Sequence, residues 1–211
     1  MINKSLLPIA KFGLLKVLYS LLALVVFLII DCDILSFLAF VVLTSLIYVY
    51  RNPEREVQIF EKNSVVSTVD GTVTSIEELE NSEYTYVITI ESDLSDVGVL
   101  RAPMNSKVLE MQVNYGTKVS SRSKLFDLLN ENASLTFEDD LSNKLKVEHR
   151  MKQNFDSISI DALEDQFFAQ SSRYGFIANG TTKIYLPSNF RFNITVGNEV
   201  SASQSLIGYF S

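Results

Sequence analysis

Nucleophile and base chemistry has little to draw on in this chain of 211 residues. There is one histidine, His149, and one cysteine, Cys32. A hydroxyl nucleophile activated by imidazole needs a histidine beside it, and only His149 is on offer. It sits in Lys146-Val147-Glu148-His149-Arg150, a polar run that reads as an exposed histidine at a strand end. Zinc takes several Cys or His ligands, so no metal centre is expected, and a single cysteine gives no internal disulfide. Asp70-Gly71 is a turn dipeptide. Asn179-Gly180 is the strongest two-residue hairpin signal, which reads Gly180-Thr181 as the turn entering a strand that ends near Leu186.

Charge narrows the partners. Residues 1–62 carry six basic and five acidic side chains, a net of +1, and the remainder carries 12 basic and 20 acidic, a net of −8. A part this acidic lacks the basic footprint that nucleic acid requires, so no nucleic acid partner is expected. It is also repelled by anionic lipid, which leaves contact with lipid to the basic residues near the N-terminus.

Two apolar stretches hold those residues. Phe12–Ile30 is apolar apart from Lys16, Tyr19 and Ser20, and Ile34–Tyr50 follows after Asp31-Cys32-Asp33. Each is near the ~20 residues that a helix needs to cross hydrocarbon. Together they predict a transmembrane helical hairpin within residues 1–55, with helices at about 12–30 and 34–50. Lys4, Lys11 and Lys16 before the first helix, and Arg51 and Arg55 after the second, set both ends in the cytoplasm and the aspartate loop outside. The expected location is the cytoplasmic (inner) membrane, multi-pass, with the remaining domain in the cytoplasm. Tyr48 and Tyr50 stand where an interfacial aromatic belt belongs, and Pro53 ends the second helix. A cleaved signal peptide fits poorly, because a second hydrophobic segment follows at once. A wedge that enters the bilayer without crossing is a further reading.

From residue 63 to 211 the pattern is mainly β. Tyr84–Ile90 is rich in β-branched and aromatic residues. Val65–Ser67, Thr72–Glu77, Lys107–Val113, Ser134–Phe137, Lys144–Glu148, Ser157–Ile160, Lys183–Leu186, Phe192–Val196 and Leu206–Phe210 read as further strands, and Leu125–Asn130 as a helical turn. An internal echo links Ala102-Pro103, Gly116, Val119 and Leu125 to Leu186-Pro187, Gly197, Val200 and Leu206. The pattern is that of the half-barrels of lipoyl and biotinyl domains, with each glycine at a turn of positive φ. No lysine stands at a hairpin tip in the context of a carrier domain, so the half-barrel is architecture and not a carrier function.

Four blocks, in order, resemble the short form of phosphatidylserine decarboxylase. Tyr50-Arg51-Asn52-Pro53-Glu54-Arg55 is similar to the family's Phe-Arg-Asp-Pro-Glu-Arg. Val66-Ser67-Thr68-Val69-Asp70-Gly71-Thr72-Val73 resembles Ser-Pro-Ala-Asp-Gly-Lys-Val. Asp96-Val97-Gly98-Val99-Leu100-Arg101-Ala102-Pro103 resembles Asp-Val-His-Val-Asn-Arg-Ala-Pro. Phe176–Pro187 resembles the cleavage block, which contains Gly-Ser and ends in Tyr-Leu-Pro. Residues 138–172 match poorly.

The resemblance implies a membrane-bound proenzyme of phospholipid biosynthesis, a lyase that cuts itself at Gly-Ser and leaves a pyruvoyl group. That carbonyl takes the amine of phosphatidylserine and acts as electron sink while carbon dioxide leaves. On the matching positions Asp70 is the family's aspartate, Gly180 precedes the scissile bond, and Arg51, Arg55 and Arg101 are candidates for lipid binding. Two positions depart. Thr181 stands at the serine and would give a 2-oxobutanoyl group in place of pyruvoyl. Gly98 stands at the histidine and offers no base, a contribution worth ~10²–10⁴-fold in catalysis. The departures imply a pseudoenzyme that stays one uncut chain, with no bound cofactor and a ketoacyl group at residue 181 only if it cuts itself. The alternatives are a decarboxylase with a threonine-derived site and a membrane module that binds lipid or a partner. The implied partners are membrane phospholipid, with phosphatidylserine as the family's substrate, and a homo-oligomer is compatible with the pattern.

Overall fold

The computed structural model describes residues 8–56, 60–80, 82–120, 122–152 and 156–211. It divides into two compact units, one ending at Glu54 and one spanning Arg55–Ser211. Lys4 of the basic flank lies outside the described residues.

The first unit holds α1 (Leu14–Ile29) and α2 (Asp33–Val49). Asp31 turns the chain between them with a φ of 60°. Helix α1 is shorter than the apolar stretch that contains it, because its flanking residues make other bonds, and α2 has the length of its stretch but is shifted one residue towards the N-terminus. Lys11–Gly13 form a turn, and Gly13 is pressed against Tyr50 so closely that a methyl group there would lie 2.2 Å from the ring. The Ala10 amide donates to Tyr50 O and the Asn52 amide to Pro8 O, each at 2.7 Å. At 1.5 Å per residue the helices are about 24 and 25 Å long, against ~30 Å of hydrocarbon. No helix among the described residues is long and apolar enough to cross a membrane. That finding corrects the expected transmembrane hairpin and multi-pass inner-membrane location, and the assignment of the aspartate loop to the far side falls with them. Tyr50 is not a belt residue either: it is fully buried, and its hydroxyl accepts a bond from Lys16 Nζ at 2.8 Å. Tyr48 is exposed and lies 4.3 Å beneath the Arg51 guanidinium.

The second unit is mainly β, as the sequence predicts. Its strands are β1 (Ser64–Val66), β2 (Gly71–Glu78), β3 (Tyr86–Ser92), β4 (Val99–Arg101), β5 (Ser106–Asn114), β6 (Asn132–Glu138), β7 (Lys144–Met151), β8 (Ser159–Ile160), β9 (Phe167–Phe168), β10 (Arg173–Phe176), β11 (Gly180–Leu186), β12 (Phe190–Phe192), β13 (Glu199–Val200) and β14 (Leu206–Phe210), with the single turn α3 (Phe126–Leu129) between β5 and β6. An eight-stranded sheet runs β13-β2-β3-β11-β7-β6-β5-β9, beside two three-stranded sheets, β1-β14-β12 and β4-β10-β8. Side chains alternate along a strand, and β6 and β7 bury every second residue: Ala133, Leu135 and Phe137 on one, Leu145, Val147, His149 and Met151 on the other. Ile88, Ile90, Ile184 and Leu186 continue this core from β3 and β11.

The internal echo folds differently in its two copies. Gly197 takes the expected positive φ, 90°, in the turn between Thr195 and Asn198, and Val200 and Leu206 enter β13 and β14. That turn also ends the strand expected over Phe192–Val196 at Phe192. In the first copy Val119 lies in a loop and Leu125 leads into α3. Gly71, entering β2, has a φ of 151°, and an added Cβ would lie 2.2 Å from the Glu91 carbonyl oxygen. Gly71→Ala is expected to cost at least ~1–3 kcal/mol, the scale of backbone strain, and to lower the thermal midpoint followed by circular dichroism.

Candidate functional site

Strand β11 sets the site. Gly180 faces Ser92 of β3 and Met151 of β7, and Thr181 faces Glu91 and Arg150. Gly180-Thr181 therefore lies inside a strand paired on both edges, and the bend comes earlier, at Ala178-Asn179. Gly180 has no room for a side chain: a Cβ would lie 2.3 Å from Ile177 Cδ1 and 2.7 Å from the Arg150 carbonyl oxygen. Thr181 is 9% exposed and borders a recess of about 10 Å³ with Phe126, Asp127, Glu148, Arg150 and Lys183, room for roughly one water. Lys152, just past β7, donates its amide to Asn179 O at 3.2 Å and its ammonium to Glu91 Oε2 of β3 at 2.9 Å. The ion pair thus bridges the two strands that flank the start of β11.

Asp70, Gly98 and Gly180 meet through shared neighbours. The Asp70 carbonyl accepts a bond from Ser92 Oγ at 2.5 Å, and Ser92 is the register partner of Gly180. The Gly98 carbonyl accepts from the Ile177 amide at 2.8 Å, and Ile177 packs on Gly180. The Asp70 carboxylate is engaged elsewhere. Its Oδ1 accepts from Arg55 Nη1 at 2.7 Å and from the Ala202 amide at 2.8 Å, and its Oδ2 pairs with Arg55 Nη2. Arg55 is therefore a buried partner of Asp70, not the interfacial cation read from the sequence. The Gly98 position is closed, since a Cβ would lie 2.5 Å from Ile177 O and 2.9 Å from the Phe176 ring. Arg101 is 4% exposed and donates to Ser171 O at 3.3 Å. Arg51, in the other unit, donates to Tyr48 O at 3.0 Å.

His149 is fully buried within β7, which corrects the expected exposed strand end. The alternation of Leu145, Val147, His149 and Met151 carried the signal, and ending the strand at Glu148 concealed it. Its Nδ1 is 2.8 Å from Thr182 Oγ1 and its Nε2 2.7 Å from the Tyr174 hydroxyl. Thr68, fully buried, sits beside that hydroxyl. Burial holds the imidazole pKa down at about 3 and pushes the Tyr174 phenol well above its usual range. A neutral imidazole has one donor and one acceptor, so the three side chains form a relay that runs in one direction. The relay meets Thr182 on the core face, while Thr181 lies on the opposite face of the strand, against the recess.

The phosphatidylserine decarboxylase family model matches residues 43–208. Among curated proteins, the phosphatidylserine decarboxylase proenzyme of Desulfotalea psychrophila is 26% identical over 187 residues, covering 84% of this chain and 85% of that protein. The same-named protein of Rickettsia typhi is 27% identical over 185 residues, 83% and 79% of the two chains. That of a Geobacter species is 28% identical over 176 residues, 81% and 80%. No solved structure matches with significance.

Two outcomes follow from the buried charges. The unfolded imidazole gains a proton near pH 6.5 and the folded one only near pH 3. Its contribution to stability is complete above pH 6.5 and is lost as pH falls, by about 1.4 kcal/mol per unit. Urea titrations at pH 6.5, 6 and 5 should give His149→Gln a shallower loss of stability than the parent by about that slope. Asp70→Ala strands the Arg55 guanidinium, whose side chain is 9% exposed. It should destabilise the β unit by ~3–5 kcal/mol, read as a lower urea midpoint.

Proposed function

Because the chain belongs to the phosphatidylserine decarboxylase family, we propose that it is a phospholipid-directed member that leaves its Gly180–Thr181 bond uncut. The observation that carries this reading is the closed Gly98 position. A self-cutting proenzyme of the family sets a histidine there to activate the hydroxyl at the scissile bond. In this chain the space is taken by Ile177 O and the Phe176 ring. The base is absent, and a side chain could enter the position only by displacing Ile177 or Phe176.

Three further features support it. The Asp70 carboxylate is saturated by Arg55 and the Ala202 amide and has no imidazole to orient. The peptide to be cut is held in register on both sides, whereas attack by Thr181 Oγ1 on the Gly180 carbonyl requires that peptide to distort. The histidine the chain does possess is tied to Thr182, the second residue past the bond. These residues do not fit the formation of a pyruvoyl or 2-oxobutanoyl group, and without a ketone the family's decarboxylation has no electron sink. What remains is recognition of phospholipid, with phosphatidylserine the first candidate. The exposed apolar faces of α1 and α2, including Leu22, Leu28, Phe37 and Phe40, support contact with acyl chains that stops short of a crossing.

Intact-mass measurement on the purified full chain tests this. The expected result is one species at the full 23.8 kDa, for the parent and for Thr181→Ser alike. Fragments 1–180 and 181–211, with a ketoacyl end on the shorter, would restore the decarboxylase with a threonine-derived site.

A further inference from the structure

The segment between β5 and β6 differs in character from the domain that carries it. Its ends are tied together. The Thr117 amide donates to Leu129 O at 2.8 Å and the Glu131 amide to Thr117 O at 3.1 Å. Asn130, 2% exposed, accepts from the Val119 amide and donates to Val119 O and Met151 O, all within 2.9 Å. A loop closed at its base in this way is a compact surface unit of the kind that often carries function. Ordering it costs conformational entropy, and yet it holds large apolar side chains in water: Tyr115 is 86% exposed, Leu128 77% and Leu125 49%.

Charge gives this patch a direction. Residues 115–130 contain Lys118, Arg122 and Lys124 against Asp127, a net of +2, while the rest of residues 63–211 carries nine basic and 19 acidic side chains. Arg122 and Lys124 are exposed beside the apolar residues. Asp127, the one acidic group, is bound from the sheet by Arg150 and lies 3.9 Å from Lys183. The loop also touches the candidate site, because Phe126 and Asp127 wall the Thr181 recess.

We propose that the 115–129 loop docks the β unit onto the surface of an anionic phospholipid bilayer, with Tyr115, Leu125 and Leu128 entering the headgroup layer and Arg122 and Lys124 pairing with lipid phosphates. Exposed apolar side chains rimmed by cations are the pattern that binds at a bilayer interface. The acidic remainder of the domain is repelled by the same surface, so the loop also fixes which side of the domain faces lipid. The inference rests on the lipid-directed reading above and deepens it by naming the surface that meets the membrane.

The test uses the full chain with Cys32→Ser and one new cysteine, Leu128→Cys, carrying an environment-sensitive fluorophore. Leu141→Cys, exposed at the far end of the β6–β7 hairpin, serves as control. Vesicles are phosphatidylcholine alone or with phosphatidylglycerol, each with a fraction of brominated lipid as quencher. The expected result is a blue shift and bromolipid quenching at Leu128 and not at Leu141, stronger with phosphatidylglycerol. Arg122→Gln with Lys124→Gln should lower loop engagement on the order of 30-fold, from the loss of two cations near the surface, and high salt should act in the same sense. A Leu128 label that stays in water on vesicle-bound protein, or a Leu141 label that shifts equally, overturns the inference. So does a shift that needs a second protein and not lipid. An uncut chain with its label in water keeps the function proposed above and sinks this inference; a cut chain whose label shifts does the reverse.

Discussion

Strand β11 is hydrogen-bonded on both edges, over seven residues to β3 and six to β7. In a sheet, an interior strand has no free backbone groups with which to rearrange, and its register fixes which side chains face the core. Most of what is distinctive here depends on that constraint. It puts Thr182 beneath the sheet beside His149 and Thr181 above it in the charged recess. It brings Ser92, and through Ser92 the Asp70 carbonyl, to the edge of Gly180. It allows the Lys152–Glu91 ion pair to span the strand where the scissile peptide would be.

Close packing adds the second constraint. Ile177 lies against two glycines, Gly98 and Gly180, and neither position can accept a Cβ without displacing it. A Cβ at Gly98 would lie 2.5 Å from Ile177 O and 2.9 Å from the Phe176 ring. The Phe176 ring and the Ile177 backbone occupy the volume, and interiors packed to this density do not reopen cheaply. The polar relay of Tyr174, His149 and Thr182 sits in the same core with the charge of its imidazole suppressed. It acts as an element of the packing, since nothing outside reaches it.

The sequence disclosed the β architecture through local composition: Tyr84–Ile90 and Leu206–Phe210 are strand-forming by themselves. It also disclosed the family, through blocks of which three, those holding Asp70, Gly98 and Gly180, meet around the start of β11. The short strands β4, β9 and β13 were harder to read, because two or three residues carry no period, whereas β8 falls within the expected Ser157–Ile160. His149 was misplaced because polar neighbours outweighed the alternation that buries it. Arg55 was misplaced because its partner is 15 residues away and only the fold unites them. The first helix fell short because Gly13 packs on Tyr50 and the Ala10–Tyr50 backbone bond sets a turn where hydropathy alone assigns a continuous span.

The order of the strands has a consequence for what covalent continuity means in this molecule. The last 31 residues, from Thr181 on, supply nearly all of β11 at the middle of the large sheet, β13 at its edge, and two of the three strands of the β1-β14-β12 sheet. A nick before Thr181 would free no tail. It would leave two interlocked polypeptides sharing one hydrophobic core, with the smaller one clasped between β3 and β7. The domain is in that sense already a heterodimer written as a single chain, and the peptide bond at Gly180 contributes little to holding its parts together.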